Sequence, residues 1–434
     1  MPAALLDIND CNLQLWHGEA HVQSPGYALL RGETYLFGSD ARAAARIQPR
    51  NINTRYWWQL GVEALQPALG PARHTADLAH AHLLQLHDEA RQPADIVVAV
   101  SAGMQREQLS LLLGIAQECP FNPVGLVNRS VALGSLHAGG GDLWHLEIQL
   151  HQALLSRLGS AGGTLALDRC LPLPGCGLLQ VQERLVETIA AAFVRQTRFD
   201  PRRKADTEQA LYDALPAALR ALRREPESNI EVNGYRARIS ARDLQAAGQR
   251  LFDSARDAMG EARGEILLAD PLTALLPGVG EAFPGVVIAG DDDLRNAVQA
   301  HGERLVEGGR NLSFVCALPL LGGGEAATPA AAQPESAAAH SSTTAAAHST
   351  PAAGATPPEP THLLRGGLAR PLVAGGTAIA GGCELYRADE GWQLRGHGGS
   401  ALLNGGPYSA GQLLGAGDRL HIDGNEMTLI EVET

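Results

Sequence analysis

Residues 322 to 361 of this 434-residue chain read GGGEAATPAAAQPESAAAHSSTTAAAHSTPAAGATPPEPT, nearly all Ala, Ser, Thr, Pro and Gly. A stretch of that composition cannot bury enough apolar surface to offset the entropy of ordering it. It is expected to be a disordered tether, with a root-mean-square reach on the order of 35 Å. One large folding unit precedes it and one small unit follows, so a single core spanning the whole chain is excluded.

Bulk properties narrow the function classes. The net charge of -13 leaves no basic surface for a phosphate backbone, so nucleic acid is not an expected partner. Six cysteines, at positions 11, 119, 170, 176, 316 and 383, are too scattered for a disulfide framework and form no CxxC pair. No segment approaches the roughly 18 apolar residues of a membrane span, and the N-terminus lacks the pattern of a secretory leader. A cytoplasmic protein is expected.

Strand and helix patterns alternate through the large unit. LLDINDCNLQLWHG, residues 5 to 18, reads as a hairpin whose turn carries no glycine. DIVVAVSA (95 to 102) is a continuous β-branched run, as a buried central strand would be, and QREQLSLLLGIAQEC then VGLVN complete a βαβ unit. LWHLEIQLHQALLSRL (143 to 158) alternates Leu146, Ile148 and Leu150 against Glu147, Gln149 and His151, as one strand pairing with TLALDRC (164 to 170). The run Gly139 to Asp142 reads as an inter-strand turn. Two long helical stretches follow, then NIEVNGYRARIS, whose Asn233-Gly234 predicts a tight hairpin.

This order of elements resembles the ATPase core of the seventy-kilodalton, DnaK-type heat-shock chaperones over about residues 1 to 320. The likeness is carried by PADIVVAVSAGMQREQLSLLLGIAQECPFNPVGLVNRSVALGSL, by FGSDARAAARIQPRNINTRYWWQLG and by EILLADPLTALLPGVGEAF. It implies an actin-like fold, two lobes with a nucleotide cleft between them. The family's cleft residues are altered one by one. Asp7 is kept, but Asn9, Asp10 and Cys11 stand where glycine and threonine would let backbone N–H groups approach phosphate. Arg42 replaces the expected lysine, and Arg129 replaces a glutamate. Glu147, Gln149, Leu150 and His151 fall on the second phosphate loop. Gly177-Leu178-Leu179-Gln180 replaces an acidic turn, and Ala269-Asp270-Pro271-Leu272 replaces the adenosine loop. The cofactor-binding positions are therefore Asp7, Asn9, Arg42, Glu147, Gln149 and Asp270 in degenerate form, with ATP and magnesium not expected as cofactors.

Other residues favour structural roles. His80, His82 and His87 suggest a solvated helix edge, and His145 with His151 share a strand face without further ligands. Cys170 and Cys176 read as buried thiols, no Ser/His/Asp constellation is visible, and Tyr56-Trp57-Trp58 reads as lobe-packing core.

The last 73 residues, 362 to 434, show short apolar segments between glycine-rich turns. The succession GWQL, SALLNG and AGDRL resembles a forkhead-associated β-sandwich. Gly381-Gly382 stands where that family has Gly-Arg, and its Ser-x-x-His element is missing. A phosphopeptide site would need Arg387 or Arg395 with Ser400 and Asn404.

The expectation is thus an α/β two-lobed actin-like ATPase fold at 1–321, lobe one to about residue 140. A disordered linker (322–361) and a small all-β sandwich (362–434) follow. Function is read as a catalytically inactive chaperone-ATPase homologue, a scaffold or regulatory partner of other proteins, an active chaperone ATPase among them. The alternatives are a divergent ATP-binding chaperone using Asp7, Arg42 and Glu147, and a phosphopeptide adaptor working through the C-terminal domain.

Overall fold

The computed structural model describes residues 3–137, 141–260, 265–306, 312–321 and, with short breaks, 360–430. The expected tether falls on 322–361, of which 322–359 lie outside the described residues. The chain divides into two compact units, Met1–Pro329 and Ala330–Thr434.

The first unit is mixed α/β. It opens with an antiparallel meander, β1 (Ala4–Ile8), β2 (Leu13–His17) and β3 (Ala20–Ser24). A side layer follows: β4 (Ala28–Arg31), β5 (Thr34–Phe37), α1 (Gly38–Arg42), β6 (Ile52–Asn53), β7 (Ala64–Leu69) and β8 (Ala72–His74). Helix α2 (Thr75–Glu89) leads into β9 (Asp95–Val100), α3 (Arg106–Gln117) and β10 (Asn122–Asn128). β9 lies between β1 and β10, parallel to both, as its unbroken apolar run requires.

Helix α4 (Arg129–His137) carries the chain to a second meander, β11 (Leu143–Ile148), β12 (Gln152–Ala161) and β13 (Thr164–Pro174). Helices α5 (Leu178–Thr197) and α6 (Ala205–Leu222), the hairpin β14 (Glu227–Val232) and β15 (Tyr235–Ser240), and α7 (Ala241–Met259) come next. β16 (Ile266–Ala269), α8 (Val279–Ala282), β17 (Val287–Ile288), α9 (Asp293–Ala300), α10 (Gly302–Leu305), β18 (Phe314–Val315) and β19 (Ala317–Pro319) end the unit.

The two large sheets repeat one design. Their orders are β18-β10-β9-β1-β2-β3 and β17-β16-β11-β12-β13-β19. In each, the first strand of a meander pairs with a parallel strand on its other side, β1 with β9 and β11 with β16. One apolar cluster draws on both sheets, with Leu5, Val97 and Val127 from the first and Leu143, Leu158 and Leu268 from the second. Although the chain passes to the second sheet after α4, β18 returns to pair with β10.

Four local expectations change. Residues 143–158 are two strands, not one, broken at Gln149–His151, and β12 rather than β11 pairs with β13. Every residue of β11 is buried, so its alternation does not separate a wet face from a dry one. Gly141 and Asp142 join α4 to β11 rather than linking strands, and residues 138–140 lie outside the described residues. His82 and His87 are buried instead of lining a wet helix edge. His82 Nε2 lies 2.7 Å from Ser24 Oγ, its ring stacks on Phe37, and its Nδ1 accepts from Trp57 Nε1 at 3.2 Å. Burial pulls the His82 pKa down to about 3, so it packs as a neutral ring. Tyr56 and Trp57 are core residues, as expected, whereas Trp58 is 38% exposed. Asn233 (φ 52°) and Gly234 (φ 80°) form the expected left-handed hairpin turn.

The second unit is all-β among its described residues. A six-stranded sheet contains β20 (His362–Arg365), β21 (Leu368–Pro371), β25 (Leu402–Leu403), β26 (Gly406–Pro407), β27 (Arg419–Ile422) and β28 (Asn425–Ile430). A three-stranded sheet contains β22 (Thr377–Ala378), β23 (Cys383–Ala388) and β24 (Gly391–Gly396). Leu385, Trp392, Leu420, Ile422 and Leu429 form its core. Among the described residues of the chain, no helix is long and apolar enough to cross a membrane.

β10 bulges between Pro123 and Gly125, where the end of α10 presses on the strand. A Cβ on Gly125 would stand 2.1 Å from the Leu305 carbonyl oxygen. Gly125→Ala is expected to lower the unfolding free energy by on the order of 3 kcal/mol, measured by urea denaturation. A loss indistinguishable from zero would contradict this packing.

Candidate functional site

The repeated meanders bring two turns face to face. The first, Asn9 to Asn12, joins β1 to β2, and the second, Gln149 to His151, joins β11 to β12. In the resemblance to the chaperone ATPases these turns hold the phosphates. Here they bond directly to each other. The Leu150 N–H donates to Asp10 Oδ1 at 2.7 Å, and Asn9 Nδ2 donates to the Ile148 carbonyl at 3.2 Å. Leu150 is fully buried and packs with Tyr27, Leu29 and Ala41. Gly177, just before α5, has no room for a side chain: a Cβ there would lie 2.4 Å from the His151 carbonyl carbon. At the rim, His151 Nε2 sits 3.0 Å from both the hydroxyl and the carbonyl oxygen of Thr54, and its ring stacks on Trp58.

Beneath the turns lies a buried ionic cluster. Arg129 begins α4 directly after β10. Its Nε reaches both oxygens of Asp7 (2.9 and 3.1 Å), and its Nη1 reaches both oxygens of Asp270 (2.8 and 3.0 Å). Glu147 of β11 stands 3.7 Å from Nη1, and its Oε1 accepts from Gln149 Nε2 at 2.9 Å. Its Oε2 is buried without a hydrogen bond. Asp7 lies in β1 of the first sheet and Asp270 directly follows β16 of the second, so one guanidinium ties the two together.

One positive charge faces three carboxyls. Burial raises Asp7 to about 6, against the opposing pull of Arg129, and raises Glu147 to about 8. Burial also acts on Asp270, but the Arg129 charge and the His145 hydrogen bond outweigh it and hold that carboxyl below its ordinary value. The difference between the two aspartates has a visible cause, since His145 Nε2 lies 3.3 Å from Asp270 Oδ1. Asp10 rises to about 7 through burial, despite its bond to Leu150.

The structure therefore brings together Asp7, Asn9, Glu147, Gln149 and Asp270. It leaves Arg42 apart, in α1, where the Arg42 carbonyl accepts from Gln209 Nε2 at 3.1 Å. It also assembles a hydroxyl, imidazole and carboxylate in series that sequence reasoning missed. His145 Nδ1 lies 2.9 Å from Ser130 Oγ while Nε2 meets Asp270. Ser130 and His145 have no exposed surface, so no substrate reaches the hydroxyl and the series serves as a polar core network. His145 and His151, expected on one strand face, are separated by the turn. Cys11, Cys119, Cys170, Cys176 and Cys316 form no disulfide; Cys176 is buried as expected, whereas Cys170 is half-buried.

Little space remains for a ligand here. The pocket beside the turns, lined by Asp10, Trp57, Ser101, Gln108 and Gln149, measures about 40 Å³, enough for a few waters and far below a nucleoside triphosphate. A groove of about 1070 Å³, lined by residues of the 50–69 segment with Thr75, Gln105, Glu107 and Gln108, adjoins this pocket through the shared Gln108.

In the second unit the two candidate arginines, Arg387 and Arg395, lie on opposite faces of one strand pair. Arg395 pairs with Glu384 at 2.9 Å and lies over the Tyr386 ring, on one face of the β23–β24 pair. Arg387 stands opposite Trp392 in the register, an odd number of residues from Glu384 and hence on the other face. Asn404 uses both ends of its amide on Asp418 (2.8 Å) and the Arg419 N–H (2.9 Å). Ser400 lies outside the described residues.

The raised carboxyls fix a pH dependence. The unfolded chain releases these protons near pH 4, while folded Asp10 and Glu147 keep theirs to about 7 and 8. Stability is then lost as pH climbs from about 4 up to those folded values, by up to about 1.4 kcal/mol per unit for each group, and levels off above them. His82 acts with opposite sign, but only below its ordinary 6.5. Melting temperature should fall from pH 6.5 to 8.5, and Glu147→Gln should flatten that fall; a rising curve would refute the assignment. No protein-family model matches this chain, and no curated protein is significantly similar to it.

Proposed function

We propose that this chain is a catalytically inactive homologue of the heat-shock chaperone ATPases that works as a protein-binding scaffold or regulatory partner. The actin-like reading draws support from the duplicated sheets, each a meander with parallel strands on the far side of its first strand. An active ATPase of the same fold is the proposed class of partner. The all-β second unit, joined through residues 322–361, is the proposed second contact module, reading protein without reading phosphate.

One observation carries the proposal. The positions that would hold phosphate and metal are satisfied by the chain itself. Asp10 Oδ1 is spent on the Leu150 N–H, Leu150 fills the gap between the turns, and Arg129 neutralises the carboxylates that would gather a cation. Phosphate placed against Asp10 would meet a carboxylate rather than a row of N–H donors. ATP with magnesium does not fit these residues, and no hydrolytic step is assigned to them. The alternative of a divergent ATP-dependent chaperone would need the space between the turns that Leu150 fills.

Titration calorimetry of the full chain with ATP and magnesium should give no binding stronger than about 1 mM, against the micromolar range that ordered cofactor sites reach. Phosphate release should match the protein-free blank. Micromolar binding together with turnover would sink the proposal.

A further inference from the structure

Groups of the chain itself bridge the two sheets in four places. An apolar cluster joins Leu5 and Val127 to Leu143 and Leu268 at the base. Arg129 and Ser130 reach Asp270, His145 and Ser156 above it. Asn9 and Asp10 hold Ile148 and Leu150 at the turns. At the rim, Thr54 and Trp58 hold His151, and Arg46 meets both Glu183 and Gln209.

We infer that the Arg129–Asp270 ion pair and the Leu150 plug form one latch that holds the two lobes in a single closed arrangement. The sheets cannot part without leaving the Arg129 guanidinium short of one carboxylate inside the protein, and a buried charge that loses its partner is strongly disfavoured. Parting also draws Leu150 out of its seat against Tyr27, Leu29 and Ala41. In a cleft bridged by a diffusible ligand, opening follows loss of the ligand. Here the bridge is covalently part of the chain, so dilution never removes it. Taken with the proposed scaffold role, on which this consequence rests, the surface offered to a partner is constant rather than nucleotide-switched.

Hydrogen exchange on the full chain tests the latch. The Leu150 amide, which bonds across the cleft, reports on it, and amides of β9 at the centre of the first sheet report on global folding. In the unaltered protein the turn at 149–151 should be protected and should exchange at the same rate with and without millimolar ATP and magnesium. Arg129→Met should speed exchange at the turn by at least about tenfold while β9 stays protected. Asp270→Asn keeps the side-chain volume and removes the charge, so it replaces Arg129→Met if that variant does not fold, with the same expected direction. Fast exchange of the turn in the unaltered protein, or protection unchanged in the folded variant, overturns the latch. ATP binding by calorimetry with the turn still protected would sink the inactive-homologue reading while supporting the latch.

Discussion

The guanidinium of Arg129, held between Asp7 of one sheet and Asp270 at the end of a strand of the other, sets the terms for the rest of the first unit. A buried cation needs acceptors in the planes of its N–H groups, and the Nε and Nη1 edges each meet a carboxylate squarely. Those demands fix where β1, β16 and the start of α4 sit relative to one another. Glu147, farther off and short of a hydrogen bond at Oε2, is the member that stays protonated longest.

The duplicated meander explains why the closure is so complete. Each sheet ends its first strand at a tight turn, and the two turns point at each other because the sheets share an apolar base. Glycines there would have left backbone N–H groups facing a gap. Asn9, Asp10 and Leu150 instead supply an amide, a carboxylate and an isobutyl group that fill the gap and satisfy one another. Gly177 is the exception that makes this possible, since its missing side chain lets the start of α5 come up against His151.

How much of this could be read from the sequence depended on the range of the interactions. The first hairpin, the strand-helix-strand unit from Asp95 to Asn128 and the Asn233-Gly234 turn are written in local pattern and turn chemistry, and the structure has them. The turn after Ile148 was hidden because Leu146, Ile148 and Leu150 keep a period of two straight through it, with no glycine or proline to mark it. What bends the chain there is tertiary, the bonds from Asp10 and from Leu178 and Leu179, whose N–H groups donate to the Gln149 and Leu150 carbonyls. His82 misled in the same way. Its partners Ser24 and Tyr56 lie 58 and 26 residues away, so a polar letter on a helix looked solvated when it was buried. Asp7, Asn9, Glu147, Gln149 and Asp270, far apart in the sequence, lie together in the structure, while Arg42 stands apart in α1.

A buried cluster of one guanidinium and three carboxyls is not the cheapest way to join two sheets. Apolar side chains of similar volume commonly do as well or better, because they need no compensation for lost hydration. Its form makes more sense as the neutralisation of an acidic set than as a device for stability. Without Arg129, Asp7, Glu147 and Asp270 would confront one another across the cleft with no cation between them. With it, two of them pair with one guanidinium at 2.8 to 3.1 Å and the third stands 3.7 Å from it, so the acidic set is held by a side chain of the protein itself.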